Sequence, residues 1–201
     1  NWSIASSTLA EGAHALTATA TDTAGNTGVA SAALAVTVDV TAPAAPSAPD
    51  LTASSDTGTA DDDDITNDTT PTLAGVAEAG STVTLSSDID GVVGTATADG
   101  TGIWVLVSSA LSDGVHDLTA TATDAAGNTG VASAALAVTI DATAPAVSVD
   151  SGGSSDTTPP LTGTVDDTAA TISVSVDGQT NAATNNGDGT WSLADDTLAA
   201  L

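Results

Sequence analysis

Residues 114–145 read GVHDLTATATDAAGNTGVASAALAVTIDATAP and contain two runs of alternating polarity joined by a turn. Apolar side chains alternate with threonine from Leu118 to Thr123, and a second alternation runs from Leu136 to Ile140. A period of two over both runs predicts two half-buried β-strands. Between them lies DAAGNTG, whose glycine and asparagine tolerate positive φ and whose Asp124 can accept hydrogen bonds from turn amides. The stretch is therefore predicted to form a hairpin with a carboxylate at its tip.

The chain is built from repeats of this unit. Of the 32 residues, 27 recur 102 positions earlier, in residues 12–43. Tryptophan is a further marker, because Trp2, Trp104 and Trp191 are each followed two positions later by isoleucine or leucine, Ile4 in the first copy. Residues that stay apolar in all three copies are predicted to point into a core.

The repeat divides the chain into three parts. Residues 1–43 match the second half of a repeat, residues 44–145 form a complete repeat, and residues 146–201 match the first half of the next one. Three prolines in APAAPSAP, residues 42–49, predict a short and stiff extended connector. The third part lacks the run of four aspartates that the central repeat has at 61–64.

Turn signals recur about every ten residues in the central repeat, and no helical periodicity of useful length occurs. This spacing is typical of a β-sandwich. The predicted fold class is all-β, with tandem immunoglobulin-like β-sandwich repeats joined end to end. Strands are predicted at residues 72–76, 81–87, 92–98, 102–107, 115–123 and 131–140, and at 171–176 in the third part.

The charged side chains of this sequence are all acidic, apart from histidine. The chain has 26 acidic residues, no lysine and no arginine, and a formal net charge of −26. Two like charges ~10 Å apart in water repel by about 0.4 kcal/mol, so a compact body with this charge must be hydrated, screened or neutralised by cations. Nucleic acid and anionic membranes are excluded as direct partners. The sequence also predicts no membrane span and no signal peptide within these residues.

The acidic residues are almost all aspartate. Only Glu11 and Glu78 are glutamate, whereas a plain halophile-like solubility surface would use glutamate as readily. The short carboxylate suits tight loops around an oxygen-seeking metal, and four consecutive aspartates at 61–64 are costly unless a cation lies among them. The small, alanine-rich cores and the absence of cysteine leave each domain in need of such a stabiliser. The aspartate bias therefore favours calcium, with the solvated acidic surface as the alternative.

Several motifs occur in a characteristic order: TPTLAG at 70–75, ADGTGIW at 98–104, LSDGVHDLTATATDAAGN at 111–128 and VTIDATAP at 138–145. This series resembles the tandem bacterial immunoglobulin-like repeats of giant RTX and biofilm-associated adhesins. The segment SDTGTADDDDITNDTTPT at 55–72 resembles their acidic, calcium-associated segment. The resemblance implies a secreted stalk at the bacterial cell surface whose domain junctions bind Ca²⁺. It also implies that the adhesion target lies elsewhere in the parent protein.

Two calcium sites are predicted on this basis, because end-to-end stacking would bring hairpin tips, strand ends and the acidic segment together. Calcium takes six to eight oxygen ligands, which carboxylates, backbone carbonyls and water can supply. The site at the junction after residue 43 is predicted to use Asp22, Asp39, Asp56, Asp62, Asp64 and Asp68. A second site, with fewer aspartate ligands, is predicted at the next junction and is expected to use Asp124, Asp141 and Asp156.

Other polar motifs favour structural roles. His14 and His116 stand at the same place in Gly-x-His-x-Leu, where a side chain can hydrogen-bond the preceding corner of an immunoglobulin-like fold. Ser112, Asp113 and His116 are packed into one turn, which does not supply the converging geometry of a catalytic triad. Residues 88–91 predict a hairpin turn rather than a pair of catalytic acids. The chain is therefore predicted not to be an enzyme.

The alternatives to a stalk are a module that binds a carbohydrate or a protein through its loops, and an acidic filament-forming surface protein. The half-repeats are relevant to the filament-forming alternative, because each one leaves an apolar face and strand edges uncovered. The predicted partners are neighbouring repeats of the same array or head-to-tail copies of the chain, since such a contact is heterologous and does not close.

Overall fold

A computed structural model describes residues 3–58, 60–195 and 197 of the chain. The chain forms two compact units, residues 1–142 and 143–201. Among the described residues, no helix is long and apolar enough to cross a membrane. The first unit contains strands β1 (Gly12–Leu16), β2 (Leu34–Val38), β3 (Asp50–Leu51), β4 (Ile65–Thr66), β5 (Thr72–Val76), β6 (Thr82–Ser87), β7 (Gly91–Thr97), β8 (Ile103–Val107), β9 (Gly114–Thr123) and β10 (Leu136–Ile140). The second contains β11 (Leu161–Thr164), β12 (Ile172–Val176), β13 (Gln179–Asn185) and β14 (Thr190–Leu193).

Residues 44–142 form a β-sandwich, as predicted. One sheet has the order β4-β10-β9-β6-β7 and the other the order β3-β5-β8. Alternate residues of both sheets meet in one core, which includes Leu73, Trp104, Leu85, Leu118 and Val138. The alternation of apolar and polar residues thus places one face of each sheet inward.

The predicted hairpin is confirmed, with a carboxylate at its tip. Asp124 Oδ1 accepts hydrogen bonds from the backbone N–H groups of Ala126 at 2.8 Å and Asn128 at 2.9 Å. Gly127 has a φ of 94°, which an L side chain rarely adopts. Sequence therefore specifies the tip locally, through an aspartate that binds the turn and a glycine that permits it.

The predicted strand at 131–140 is too long by five residues. Only Leu136–Ile140 pairs with β9, in the register Leu136 to Leu118 and Ile140 to Gly114. Before it, the Ser133 hydroxyl accepts the Ala120 N–H at 3.0 Å and donates to the Ala134 carbonyl at 2.7 Å. The serine hydroxyl replaces ladder bonds, which is how serine competes with regular structure.

The proline-rich stretch at 42–49, predicted as a short and stiff extended connector, packs along the central domain. Pro43, Pro46 and Pro49 are buried, and the Ser47 N–H donates to the Val76 carbonyl at 2.9 Å. Proline lacks a donor, but on this edge the hydrogen bonds are made by Ser47, whose hydroxyl also accepts the Val76 N–H at 2.9 Å. The stretch is part of the sandwich.

Residues 3–43 contain one described strand pair, β1 with β2, running antiparallel with Gly12 opposite Val38. Their apolar side chains lie at the surface: Leu16 is 37% exposed, whereas its counterpart Leu118 is 0% exposed. Ile4, which was predicted to point inward, is 80% exposed because the strands that cover its counterpart have no equivalent here. Trp2 lies outside the described residues.

The second unit has one four-stranded sheet in the order β11-β14-β13-β12. Its core contains Val165, Ile172, Val174, Trp191 and Leu193. The indole Nε1 of Trp191 donates to the Ser148 carbonyl oxygen at 2.8 Å. The inward positions predicted for Trp104 and Trp191 are thus confirmed, since each is 1% exposed.

Candidate metal centre and domain junction

The acidic loop between β3 and β5 lies at the end of the central domain from which the chain leaves at Ala142. Strand β4, inside this loop, pairs in parallel with β10, with Thr66 opposite Ile140. The Thr139 N–H donates to the Asp64 carbonyl, and the Asp141 N–H donates to the Thr66 carbonyl, both at 2.9 Å. The pairing with the last strand carries the aspartates across the domain, away from the junction with residues 1–43.

Asp56 is the most buried carboxylate of this loop. It is 6% exposed, and its Oδ2 accepts the Asp64 N–H at 3.2 Å. Its Oδ1 is buried and accepts no hydrogen bond. A buried carboxylate oxygen without a donor is costly, and the chain has no lysine or arginine to neutralise it.

Asp64 lies beside Asp56 in an unfavourable setting. Burial raises its pKa above the usual value, and so do the negative charges of Asp56, Asp50 and Asp63. Its φ is 58°, in the left-handed region that costs most residues free energy. The loop therefore concentrates negative charge around a partly buried position, which a bound cation would relieve.

Asp50 and Asp63 were not among the metal candidates predicted from sequence. Asp63 belongs to the run of aspartates at 61–64, so the sequence indicates its acidic surroundings. Asp50 lies on β3, six residues before Asp56 in the chain. The antiparallel pairing of β3 with β5 brings Asp50 towards the loop, with Asp50 opposite Ala74. No local pattern signals that approach.

The other candidates of the first predicted site are placed differently. Asp68 Oδ2 accepts the Ser55 hydroxyl at 3.3 Å and its Oδ1 accepts the Thr70 N–H at 2.9 Å, so it closes the acidic loop. Asp62 is exposed in the same loop. Within residues 3–58, 60–195 and 197, no three carboxylate or imidazole side chains are already assembled as metal ligands.

The predicted convergence of Asp22 with Asp39 is wrong within this chain. The register of β1 with β2 puts Asp39 beside Gly12, whereas Asp22 lies at the tip, where its Oδ1 accepts the Ala24 N–H at 2.9 Å. The Asn26 side chain and backbone hydrogen-bond to Asp22 and lower its pKa. The two residues therefore lie at opposite ends of one hairpin.

In the second predicted group, which consists of Asp124, Asp141 and Asp156, the first two aspartates are separated in the same way. Asp124 is at the tip of the β9–β10 hairpin, where the Asn128 side chain lowers its pKa, and Asp141 is at the other end. Asp156 lies in the second unit, where its Oδ1 accepts the Thr158 N–H at 2.9 Å. A hairpin separates its tip from its strand ends, so Asp124 and Asp141 lie apart.

The tip of the β9–β10 hairpin meets the preceding part of the chain. Asn128 Nδ2 donates to the Asp39 carbonyl oxygen at 3.1 Å. The hairpin passes so close to Pro43 that a Cβ atom at Gly130 would overlap the Pro43 carbonyl oxygen. The repeat therefore brings the tip of one domain against the last strand of the domain before it.

His116 has the structural role predicted for it. Its Nε2 donates to the Ser112 carbonyl at 2.7 Å, and its Nδ1 accepts the Ser87 hydroxyl at 2.9 Å, an assignment that follows because a carbonyl can only accept. Ser87 and His116 are both buried, and Asp90 hydrogen-bonds Ser112. His14 bonds the Ala10 carbonyl in the same way, at 2.8 Å. Ser87, His116 and Asp90 are thus tied by hydrogen bonds into a closed corner, which presents no exposed nucleophile.

We expect His116→Ala to lower the free energy of unfolding of the central domain by about 2–3 kcal/mol, because it opens a cavity and removes the hydrogen bonds that the buried imidazole makes to Ser87 and to the Ser112 carbonyl. His14→Ala is the matched change in the first copy, where the side chain is half-exposed, and should cost less than about 0.5 kcal/mol. Urea unfolding followed by circular dichroism measures both. Equal effects for the two substitutions would contradict the structural role.

The two facing sheets, the closed histidine corner and the duplicated hairpin define a chain of tandem immunoglobulin-like sandwiches. The model of the bacterial Ig-like domain family matches residues 1–40 and 42–142, and the chain belongs to this family. No curated protein matches the chain. Among solved structures, it is similar to a tetra-tandem repeat in the extending region of a large adhesion protein, at 25% sequence identity and a TM-score of 0.39. That match covers 93% of this chain and 49% of the other, so the chain spans about half the length of that protein.

Proposed function

We propose that the chain is a segment of the stalk of a large secreted bacterial adhesin, where its repeats space an adhesive part from the cell surface. The proposal is of a structural protein that supports adhesion and biofilm formation without catalysing a reaction. The observation that carries it is the contact of the hairpin tip at Asn128 and Gly130 with Asp39 and Pro43. Its residues recur with the repeat, so each copy can meet the copy before it in the same way.

The buried prolines support a stiff junction. Pro43, Pro46 and Pro49 lie against the central sandwich, so the segment that joins two repeats has little freedom to bend. Inter-domain linkers usually permit relative motion unless contacts oppose it. Here the linker is itself an edge of the next domain, which suits a protein that spaces an adhesive part from the cell surface.

Calcium is the second part of the proposal. Asp56 and Asp64 are the residues that would hold it, with Asp50 and Asp63 near enough to add charge, and Asp141 lies at the same end of the domain. The residues fit the ion because Asp56 Oδ1 is buried without a donor and carboxylate oxygen is the ligand that calcium prefers. A bound divalent cation would neutralise the loop and fix the acidic end of the central domain. Ligand roles for Asp22, Asp39 and Asp124 remain predictions from the sequence.

Gly130→Ala tests the stiff junction, because the added methyl group forces the hairpin tip away from Pro43. We expect residues 1–43 to reorient independently of the central domain, seen as a fall in the ¹⁵N rotational correlation time of residues 12–38 relative to 72–140.

The matched change is Gly28→Ala at the same position of the first copy, where a Cβ atom would lie 3.7 Å from the Ala20 carbonyl oxygen, an ordinary contact. It should leave the correlation times unchanged. Independent tumbling of residues 12–38 in the unmodified chain would refute the stalk proposal.

A further inference from the structure

One exposed face of the central domain is apolar. In the sheet β3-β5-β8, Val76 lies opposite Ile103 and Ala74 lies opposite Val105, and Val107 continues the same face of β8. The four large side chains are each more than half exposed, although they are neighbours within one sheet. Single exposed apolar residues are common, whereas a contiguous exposed patch marks a surface that binds another molecule. We call these five residues the apolar face.

The second unit has the same pair of strands with a polar face. Its β11 pairs with β14 in the corresponding register, but Thr164 lies opposite Thr190 and Thr162 lies opposite Ser192. Both members of each cross-strand pair are therefore polar there, and both are apolar in the central domain. Threonine and valine are both β-branched and favour strands alike, so the fold itself does not require valine on this face. The apolar face thus distinguishes the central domain from the repeat that follows it.

Carboxylates border the apolar face. Asp50 on β3 lies opposite Ala74 and therefore on the same side of the sheet. Asp99 lies just before β8, where its Oδ1 accepts the Ile103 N–H at 3.0 Å. Hydrogen bonds from the Thr101 side chain and from the Thr101 and Ile103 backbone lower the pKa of Asp99, so it is charged at neutral pH. The chain has no lysine or arginine to offset this border.

The size and charge of the face argue against a second copy of the chain as its occupant. Three strands ~5 Å apart and five residues long present a flat area on the order of 250 Å². A stable interface buries about 800 Å² on each partner. A second copy would also bring its own acidic border and a net charge of −26. A partner with a positive border gains from the apolar contact and from the charges together.

We propose that the apolar face binds a protein that presents a flat apolar surface, such as the outer face of a β-sheet, bordered by lysine and arginine. The valine and isoleucine side chains would exclude water at the centre, and the border carboxylates would orient the partner. The contact is small, so the complex is weak and transient. Sodium chloride should weaken it, because salt screens the charges at the border. This binding is separate from the stalk and calcium proposals.

A synthetic peptide can test this chemistry directly. The probe is a cyclic β-hairpin with valine on one face and lysine along its border, since an uncyclised hairpin is marginally stable in water. We expect it to bind, with ¹⁵N chemical-shift changes concentrated in residues 72–76 and 103–107. Fluorescence polarisation of the labelled peptide measures the affinity. Two control hairpins, one with glutamate in place of lysine and one with threonine in place of valine, should each bind at least tenfold more weakly.

Substitutions on the protein locate the site. Ile103→Thr combined with Val105→Ser introduces the residues that the second unit has at these positions, so the sheet should still form. This double substitution should weaken binding of the lysine hairpin at least tenfold, and Val107→Ala should weaken it by a smaller factor. Val115→Thr is the matched control, because Val115 is 59% exposed on β9 in the other sheet. It should leave the affinity unchanged.

Several results would overturn the proposal. One is equal binding of the valine and threonine hairpins, which would mean that charge alone attracts the probe. Others are equal binding to the unmodified and doubly substituted chains, or no binding of the lysine hairpin at about 1 mM. Sedimentation velocity tests the other occupant, since a dimer that the double substitution removes would assign the face to a second copy. None of these results depends on the contact of Gly130 with Pro43, on which the stalk proposal rests.

Discussion

Calcium should raise the melting temperature of the central domain, and Asp56→Asn should remove most of that rise. A site held at ten times its dissociation constant adds about 1.4 kcal/mol to the folded state, and at a hundred times about 2.7 kcal/mol. For a domain of this size, each kcal/mol shifts the melting temperature by roughly 4–8 °C. The Asp56 Oδ1 atom, buried and without a donor, is the reason to expect the effect here.

Asp64→Asn should distinguish the repulsion between carboxylates in the loop from the stabilisation by bound calcium. In EGTA, it should raise the melting temperature, because it removes a charge that burial and three neighbouring carboxylates oppose, and because asparagine tolerates the φ of 58°. In calcium, the same variant should melt below the unmodified chain. The order of stabilities thus reverses when the ion is added.

Differential scanning calorimetry in EGTA and in millimolar calcium measures both variants, and isothermal titration counts the sites. Asp117→Asn on β9 is the control for net charge, since it lies outside the loop and should keep the full calcium response. An equal melting temperature of the unmodified chain in EGTA and in calcium would favour the solvated acidic surface over the metal site.

The largest loss of stability is expected from Trp104→Ala. The indole is 1% exposed at the centre of a core otherwise made of small and aliphatic residues, and truncation of a buried tryptophan costs about 3–5 kcal/mol. Gly75 shows how closely the ring is packed, because a Cβ atom there would lie 2.7 Å from it. Since small domains have about 5–15 kcal/mol in total, the central domain should be largely destabilised.

Trp191→Ala is the matched substitution and should destabilise the second unit alone, because Trp191 belongs to a separate core. Phenylalanine distinguishes the two sites further. Trp104 Nε1 has no hydrogen-bond partner, whereas Trp191 Nε1 donates to Ser148 O at 2.8 Å. Trp191→Phe should therefore cost about 1 kcal/mol more than cavity formation alone. Urea unfolding with hydrogen exchange assigns each loss to its unit, and a shared loss would contradict independent cores.

Sequence alone determined the features that depend on neighbours along the chain. The period of two in residues 118–123 and 136–140 predicted β9 and β10, and the Asp124 tip, the His116 corner and the inward Trp104 and Trp191 followed from local pattern and repetition. Each is set by alternation, turn chemistry or a four-residue hydrogen bond. The family membership has the same origin, since it rests on the order of such motifs.

The positions of the charged side chains depend on long-range strand pairing. Parallel pairing of β4 with β10 joins residues more than seventy positions apart and carries Asp56 and Asp64 to the far end of the domain, where β3 adds Asp50. Aspartates at the two ends of a hairpin, such as Asp22 and Asp39, cannot be told apart from the sequence. A local cluster of charge does not show which end of the hairpin it occupies. The pairing of β4 is long-range and only two residues long, so no periodicity in the sequence could reveal it.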